Sequence, residues 1–402
     1  MLKYGVNLSL SRGFKKVEAM TIKLLFVFGT RPEAIKMLPI IKHAQKFYND
    51  KVIVKVCVTG QHRQMLDQVL NIFEVTPDFD LDIMAQGQDL YDITSKVLLG
   101  LRPILQQEKP DCILVHGDTT TTLAASLAAY YQKIDVAHVE AGLRTHDIYS
   151  PWPEEINRTV TGCIARYHFA PTEISKANLL KENTGGDIIV VGNSVIDSLL
   201  WVCQRLESDS ELQKNTEQLF SKYQIDFSRK ILLVTGHRRE NFGAGFINIC
   251  QALQVIAHNH PEIQIVYPVH LNPNVQKPVH EILSGLDNVH LIEPLDYLPF
   301  VYLMQKSYLI LTDSGGVQEE APSLNKPILV MRDTTERPEA LAAGAVKLVG
   351  TNKGKIIDEV ENLLTDNEAY NKMASIVNPY GRGNTAELIL KHLINQVGRI
   401  KA

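Results

Sequence analysis

The amino-acid sequence predicts an α/β protein built from doubly wound parallel sheets. Short apolar runs alternate with longer segments of helical period over most of the 402 residues. The short runs are apolar throughout rather than at every second residue, as in strands that helices cover on both faces. A polar stretch without a strand-like run, residues 197–229, separates these runs into two series. We therefore expect two α/β halves with a ligand cleft between them.

Each half is predicted to contain six strands. The first series comprises Lys23–Phe28, Val52–Val58, Cys112–His116, Asp135–Val139, Tyr167–Ala170 and Ile188–Val191. The second series comprises Ile231–Thr235, Ile263–Val266, Val289–Ile292, Tyr308–Leu311, Pro327–Met331 and Val346–Val349. The helical segments between and after them include Gln64–Phe73, Leu90–Gln107, Thr119–Tyr130 and, near the end of the chain, Thr385–Val397.

The polar stretch places the expected domain boundary near residues 193–230. Residues 20–195 then form a first domain and residues 196–379 a second. Residues 1–19 precede Met20 and the first convincing strand, and they lack the continuous apolar core of a signal peptide. Our hypothesis is that they are an extension or a misplaced start.

Charge, hydropathy and cysteine usage exclude several classes of protein. Forty-one basic and forty-five acidic residues give a net charge of −4, which argues against a protein that binds a nucleic-acid polymer. No apolar run approaches the length that spans a bilayer. The five cysteines are scattered and form no CxxC pair, a pattern typical of reduced, cytosolic proteins.

Cationic residues follow the first predicted strand. Gly29 and Thr30 permit a tight turn, after which Arg31 and Lys36 are five residues apart at the start of a predicted helix. At the carboxyl end of a parallel strand these two side chains could hold an anion. The alternative is a capped helix whose first turn carries solvated cations.

Three carboxylates follow the next predicted strands of the first half. Asp118 comes after a strand and a glycine, Glu140 ends the following strand, and Glu154 lies fourteen residues further on. Neighbouring carboxylates raise one another's pKa, which suits acid–base chemistry near neutral pH. The alternatives are that Asp118 caps a helix and that Glu154 pairs with Arg158 at i, i+4.

The second half repeats this arrangement with phosphate-binding features. His237, Arg238 and Arg239 follow its first strand and a glycine. Ser314, Gly315 and Gly316 follow another strand and open a helix, where exposed backbone amides bind phosphate. Glu320, one turn further, could accept two ribose hydroxyls, and Arg337 is a further anchor for an anion. A plain helix cap is the alternative at Ser314.

Other catalytic classes lack their motifs. The sequence has no GxxxxGK[ST] loop, no G-x-S-x-G elbow and no zinc-ligand spacing among its thirteen histidines. A loose G-x-G-x-x-A at residues 381–386 follows a proline turn rather than a strand, which argues against a dinucleotide site.

Seven blocks of sequence resemble the non-hydrolysing UDP-N-acetylglucosamine 2-epimerases. They are FGTRPEAIKMLP (28–39), TGQHRQMLD (59–67), HGDTTTTLAA (116–125), HVEAGLRTHD (138–147), PWPEEINR (151–158), TGHRREN (235–241) and the long block at 312–340. The resemblance extends from residue 22 to about residue 390. It implies a glycosyltransferase B-type fold, in which two Rossmann-like domains face a cleft and the last helix, about residues 380–402, packs back on the first domain.

The resemblance also implies an activity and its site residues. It implies that UDP-GlcNAc and UDP-ManNAc interconvert through elimination and re-addition of UDP, without a nicotinamide or metal cofactor, in a cytosolic homodimer that feeds surface polysaccharide synthesis. The implied acid–base residues are Asp118, Glu140 and Glu154, with their individual roles left open. The implied contacts to the diphosphate, ribose and uracil are Arg31, Lys36, Arg158, His237, Ser314, Gly315, Gly316, Glu320, Arg337 and Phe300.

Two further questions stay open at this point. Some family members bind a second UDP-GlcNAc as an activator, and Gln61, Gln64, Glu154, Arg238 and His270 match positions that take part. Against this, Gly87 replaces an arginine of the activator-dependent members. The alternatives for the activity are epimerisation of a related UDP-2-acetamido sugar, a hydrolysing epimerase, a glycosyltransferase of the same fold and a non-catalytic UDP-sugar sensor.

Overall fold

The computed structural model describes residues 21–60 and 63–401. The predicted extension, residues 1–19, and one predicted activator contact, Gln61, lie outside the described residues. Within those two ranges, no helix is both long and apolar enough to cross a bilayer.

The first half of the described chain contains a parallel sheet with helices on both faces. Its strands are β1 (Ile22–Phe28), β2 (Val52–Val58), β3 (Phe79–Asp80), β4 (Cys112–His116), β5 (Asp135–Val139), β6 (Tyr167–Ala170) and β7 (Asp187–Val190). Its helices are α1 (Arg31–Phe47), α2 (Arg63–Ile72), α3 (Leu90–Glu108), α4 (Thr120–Tyr131), α5 (Glu154–Ile164) and α6 (Glu173–Lys181). The strand order is β3-β2-β1-β4-β5-β6-β7.

Two helices, α7 (Ser194–Ser208) and α8 (Ser210–Ser221), lead to the second sheet. Its strands are β8 (Ile231–Thr235), β9 (Gln264–Pro268), β10 (Val289–Ile292), β11 (Leu309–Thr312), β12 (Ile328–Val330) and β13 (Val346–Leu348). Its helices are α9 (Ala244–Asn259), α10 (Pro273–Leu283), α11 (Tyr297–Lys306), α12 (Gly315–Glu320), α13 (Pro338–Ala343) and α14 (Lys353–Thr365). All pairings are parallel, in the order β10-β9-β8-β11-β12-β13.

The chain ends with α15 (Asn367–Ala374) and α16 (Thr385–Lys401). Helix α16 packs against α1 and α7 rather than against the second sheet. The Asp197 carboxylate of α7 accepts hydrogen bonds from the backbone amides of Thr385, at 3.3 Å, and Ala386, at 2.9 Å. This carboxylate therefore holds the first turn of α16, where backbone amides have no partner within the helix.

Alternate residues of the strands face separate apolar cores. In β1, Phe26 faces one core and Val27 faces the opposite one. The core that contains Phe26 continues through α7 into the second half, where it includes Leu233. Leu232 points to a third core on the far face of the second sheet. Each sheet is thus buried on both faces, which explains why its strands are apolar throughout.

The prediction of two doubly wound α/β halves is confirmed. Six strands have the predicted bounds, and the other predicted strands shift by one or two residues at either end. The edge strand β3 is missing from the prediction because it is only two residues long and lies partly exposed.

Candidate active site

The candidate site lies at the carboxyl ends of β1, β4 and β5. Strand β1 has β2 on one side and β4 on the other, so the strand order reverses at this point. In open parallel sheets a crevice forms where the order reverses, and ligands bind there. The loops that follow β1 and β4 flank this crevice.

A network of hydrogen bonds fixes the start of α1. Thr30 caps the helix, and the Glu33 carboxylate accepts the backbone amides of Gly29, at 3.1 Å, and Thr30, at 2.8 Å. Gly29 is required, because a Cβ atom there would lie 2.0 Å from Oγ1 of Thr59. Helix α1 therefore is capped, as the alternative interpretation of this segment expected. Lys36 is not a solvated cation, however, because its side chain is only 15% exposed.

Lys36 and Glu140 form a buried ion pair. Lys36 Nζ lies 2.7 Å and 2.8 Å from the two carboxylate oxygens of Glu140, and His116 Nε2 lies 2.8 Å from Oε2 of the same carboxylate. Burial opposes ionisation of Glu140, but Lys36 and His116 outweigh it and hold the pKa of this carboxyl well below its usual range. Burial likewise lowers the pKa of Lys36, yet Glu140 and Glu319 produce a net increase.

The backbone of Glu140 is also unusual. Its φ is 62°, in the left-handed region that residues other than glycine rarely adopt. Such strain persists where surrounding contacts determine the conformation, and it concentrates at functional sites. From this turn the Glu140 carboxylate contacts Lys36 of α1.

Asp118 has a different environment from Glu140. Its carboxylate lies 2.8 Å from NH2 of Arg158, whose NH1 lies 3.3 Å from Glu155. Burial raises the pKa of Asp118 above its ordinary value, and the neighbouring Glu140 adds to this effect while Arg158 opposes it. Asp118 does not cap α4, because Thr119 holds that position and accepts the Thr122 amide. The capping alternative for Asp118 is therefore wrong.

The predicted i, i+4 pair of Glu154 and Arg158 is also wrong. Arg158 instead pairs with Asp118 across the site and with Glu155 on its own helix. Glu154 is the first residue of α5 rather than part of a strand end. Its Oε2 is buried and has no hydrogen-bond partner within the described residues. Glu154 is close enough to raise the pKa of Asp118, so the three predicted carboxylates do share one region.

In the second half, Asp313 organises the loop that follows β8. This fully buried carboxylate accepts the backbone amides of His237 and Arg238, each at 2.9 Å, and Nδ2 of Asn241 at 3.3 Å. The His237 ring stacks on His270 with centroids 5.7 Å apart. Burial, Arg238 and His270 lower the pKa of His237 despite Asp313, so its imidazole is neutral at neutral pH.

The predicted phosphate-binding turn lies at the start of α12. Ser314 is the N-cap residue, and its backbone amide donates to Oγ1 of Thr312 at 2.9 Å. A Cβ atom at Gly315 would lie 3.6 Å from a guanidinium nitrogen of Arg238 and 3.7 Å from one of Arg337. The backbone of Gly315 thus faces two guanidinium groups, an arrangement that suits an anion.

Glu320 contacts α11, the helix that contains Phe300. Tyr297 donates a hydrogen bond to Oε2 of Glu320 at 3.1 Å, and both side chains are buried. Burial raises the pKa of Glu320 to about 8, against the lowering effects of Tyr297, Lys36 and Arg31. Arg31 of the first half is therefore near Glu320 of the second. Phe300 is half-buried and packs against the core that both halves share.

Sequence reasoning missed two residues that join the halves, Asn193 and Glu319. Nδ2 of Asn193 lies 3.2 Å from Glu140 and 3.3 Å from Glu319. The Glu319 carboxylate also pairs with Nε of Arg337 and lies 3.9 Å from Lys36 Nζ. The only local signal was the Glu319-Glu320 pair itself, and it does not indicate which of the two faces the first half. Asp313 was missed as well, although its position between a strand and Ser-Gly-Gly could have drawn attention to it.

These groups surround a cleft of about 670 Å³. Asp118, Glu140 and Arg158 of the first half line this cleft, and so do Arg238, Glu319 and Arg337 of the second half. Several predicted contacts lie outside this lining, namely Arg31, Lys36, Glu154, His237, Phe300, Ser314, Gly315, Gly316 and Glu320. The cleft thus brings carboxylates and guanidinium groups of both halves around one space, which suits proton transfer on a bound anion.

The predicted activator contacts are less clearly grouped. Arg238 lines the cleft and lies 3.7 Å from Glu336, and His270 is exposed beside His237. Gln64 is exposed on α2. A second ligand site therefore stays a prediction.

Comparisons with known proteins agree on one family. A model of the UDP-N-acetylglucosamine 2-epimerase family matches residues 45–394. The chain is 61% identical over 375 residues to a UDP-N-acetylglucosamine 2-epimerase of Yersinia pestis, covering 93% of this chain and 99% of that one. It is 59% identical over 378 residues to the enzyme of that name from Escherichia coli, with 93% and 99% covered.

A solved structure agrees with this assignment. The crystal structure of UDP-GlcNAc 2-epimerase from Neisseria meningitidis, bound to UDP-GlcNAc, superposes with a TM-score of 0.82 at 54% identity, covering 93% of this chain and 100% of that one. The match of fold and of sequence extends over both halves and over the cleft between them. The chain belongs to the UDP-N-acetylglucosamine 2-epimerase family.

Proposed function

We propose that this chain interconverts UDP-GlcNAc and UDP-ManNAc by eliminating UDP and adding it back. The observation that carries this proposal is the cleft, which brings the carboxylates Asp118 and Glu140 of the first half together with guanidinium groups of both halves. In a nucleotide sugar the weakly acidic C2–H bond is next to C1, the carbon that carries the diphosphate. Carboxylates and cations that line one cleft match these two neighbouring groups.

The reaction needs a proton acceptor at C2, because no carbonyl group acidifies that hydrogen. Removing the proton while the C1–O bond breaks forms a C1–C2 double bond, and the bonding electron pair of C1–O leaves with UDP. Re-addition reverses these steps and returns the proton to the opposite face of C2. UDP must stay bound between the two steps, so anchors for the diphosphate are as important as the proton-transfer groups.

Asp118 is the better candidate for proton transfer near neutral pH. Its pKa is raised, chiefly by burial, and a base is most effective when its pKa approaches the working pH. Glu154, whose Oε2 is buried without a partner in the described chain, is the second candidate, acting on the opposite face. The two faces of C2 require two groups or one that moves.

Glu140 is proposed to act as a charge rather than as the principal base. Its low pKa keeps it ionised, and positive charge develops at C1 as the bond to UDP breaks. A fixed carboxylate stabilises that charge without reorganisation. Lys36 orients Glu140 through both carboxylate oxygens and is also close to the expected position of the diphosphate.

The second half is proposed to hold UDP. Ser314, Gly315 and Gly316 would donate backbone amides to phosphate, with Arg337 and the neutral His237 beside them, and Arg31 and Arg158 would approach from the first half. Glu320 would accept the ribose hydroxyls, with Phe300 at the uracil pocket. No metal or nicotinamide takes part in this proposal.

We also propose that the chain acts in the cytosol as a homodimer, supplying UDP-ManNAc for surface polysaccharide synthesis. Its five cysteines are free thiols, the state that the cytosol maintains. Helices α3 and α4 pack together and carry exposed Tyr91, Leu99, Tyr130 and Tyr131. Aromatic side chains such as these tyrosines are enriched at interfaces between proteins. Light scattering after gel filtration would test the dimer.

We propose that the two domains are divided at the two places where the chain passes from one half to the other, before α7 and before α16. The backbone amide of Asn193 donates to the carbonyl of Tyr380 at 2.7 Å, so the crossing before α7 contacts the crossing before α16. Residues 20–195, joined by the segment from about 380, then form the first domain, and residues 196–379 the second.

The activity is tested by incubating the purified chain with UDP-GlcNAc and separating the nucleotide sugars by chromatography. We expect UDP-ManNAc to appear without free ManNAc. Free ManNAc would instead indicate a hydrolysing enzyme, transfer of the sugar to an added acceptor would indicate a glycosyltransferase, and binding without any product would indicate a sensor.

A further inference from the structure

Asn193 is held rigidly at the junction of the two halves. It is the N-cap residue of α7, and its Oδ1 accepts the backbone amide of Val195 at 3.1 Å. The backbone amide of Asn193 donates to the carbonyl of Tyr380 at 2.7 Å. The side chain is 3% exposed. Because Oδ1 accepts the cap hydrogen bond, Nδ2 must point away from α7, toward the cleft.

The Nδ2 group contacts one carboxylate from each half. It lies 3.2 Å from Oε1 of Glu140 and 3.3 Å from Oε2 of Glu319. A primary amide carries two N–H hydrogens, so each carboxylate can receive one. A neutral donor satisfies both carboxylates without adding another positive charge to a site that already contains Lys36.

Glu319 connects this amide to the proposed phosphate site. It belongs to α12, whose first residues are Gly315 and Gly316, and it pairs with the Arg337 guanidinium. That guanidinium faces the backbone of Gly315. Glu319, the partner of Asn193, thus lies on the same short helix as Gly315 and Gly316, which are proposed to hold the diphosphate. Arg337, another proposed contact of the diphosphate, pairs with Glu319.

We propose that Asn193 is a positioning residue that aligns Glu140, with Glu319 of the other half as its second anchor. The inference rests on the proposed function, because it assigns Glu140 a role in the reaction. With both carboxylates in place, the two N–H groups of the Asn193 side chain are satisfied, so the side chain is fixed between the halves and holds the Glu140 carboxylate in one orientation.

The test replaces the bridging amide and keeps the helix cap. Serine is as good an N-cap residue as asparagine, so Asn193→Ser removes the two contacts from Nδ2 and preserves the start of α7. Asn352→Ser is the matched control, because Asn352 caps α14 through Lys355 and is exposed away from the cleft. Thermal unfolding of both variants checks that they are folded.

For Asn193→Ser we expect kcat to fall about tenfold, the lower end of the range for one hydrogen bond to a charged group, with the Kd for UDP changed less than about twofold. Loss of stability alone would not lower the kcat of the folded enzyme while leaving the Kd for UDP nearly unchanged. Wild-type kcat in Asn193→Ser would overturn the inference.

A double-mutant comparison tests the link to Glu319. Glu319→Gln alone should also reduce kcat, and the double variant with Asn193→Ser should be about as slow as the slower single variant, because both changes break one connection. Losses that multiply would overturn the link. If the wild-type chain produced no UDP-ManNAc, the proposed function itself would fail, whereas an active wild type with an unaffected Asn193→Ser would contradict only the inference.

Discussion

The ammonium of Lys36 lies 2.7 Å and 2.8 Å from the two carboxylate oxygens of Glu140. The Lys36 side chain is 15% exposed and that of Glu140 is 8% exposed, so neither charge is stabilised chiefly by water. Breaking one side of such a pair leaves an uncompensated buried charge. This relationship leads to the first prediction.

Replacing Lys36 by methionine should destabilise the fold by about 3 kcal/mol, the lower range for removing one partner of a buried ion pair. The loss should be smaller in mild acid, where Glu140 can take up a proton. Urea unfolding measures the difference. The control is Lys55→Met, since Lys55 pairs with Asp78 at 2.7 Å but both side chains are about 30% exposed; we expect less than about 1 kcal/mol there. Equal losses in both variants would contradict the account of the site.

Asp118→Asn should reduce turnover by more than about a hundredfold, because proton transfer by a positioned group typically contributes that much or more. UDP should still bind, since the substitution leaves the turn at Ser314, Arg337 and the other proposed anchors of the second half unchanged. Glu140→Gln is expected to show a loss of similar size. Glu293→Gln is the control, because that exposed carboxylate pairs only with Lys222 and Tyr223 in the described structure. Near-normal turnover in both site variants would refute the proposed roles.

Glu320 should make the unliganded protein less stable as the pH rises. Its pKa is raised from 4.5 to about 8 in the folded state by burial, so between these values the folded chain binds more protons than the unfolded chain. Stability from this group is therefore greatest below about pH 4.5 and is lost as the pH approaches 8. Glu320→Gln removes this dependence. In urea unfolding at several pH values, the free energy of unfolding of the variant should rise relative to that of the wild type as the pH rises. A difference between the two free energies that does not change with pH would contradict the pKa shift.

Gly315→Ala should weaken UDP binding by about tenfold or more while leaving the fold intact, since a methyl group would fill the space in which backbone amides meet an anion. The added Cβ would lie at ordinary contact distances from Arg238 and Arg337, so no clash within the protein is expected. Gly185→Ala is the control, because nothing lies within 4 Å of its Cβ position. Calorimetric titration with UDP provides the comparison. Unchanged affinity in Gly315→Ala would place the phosphate elsewhere.

Most of the fold follows from local sequence signals. Strands buried on both faces are apolar throughout, and this pattern located six strands with their observed bounds. The carboxyl ends of the predicted strands then indicated Asp118, Glu140 and the turn at Ser314, because parallel topology brings strand ends to one edge. The short edge strand β3 carries too little of this signal to be recognised.

The partners of the site residues could not be predicted in the same way. Local spacing paired Arg158 with Glu154, whereas the folded chain pairs it with Asp118 from another strand end. Asn193 and Glu319 are 126 residues apart, and only the packing of the two halves brings them together. Such contacts depend on the relative placement of the sheets, on which hydrophobic pattern and helix caps carry no information.

The measurement that tests the central claim most directly is proton NMR of UDP-GlcNAc incubated with the wild-type chain in deuterated water. Proton transfer at C2 predicts that UDP-ManNAc appears with deuterium at C2, and that deuterium later enters C2 of the remaining UDP-GlcNAc. In Asp118→Asn both signals should be slowed together by more than about a hundredfold. UDP-ManNAc that retains protium at C2, or a wild type that exchanges no C2 hydrogen, would contradict elimination and re-addition through these carboxylates.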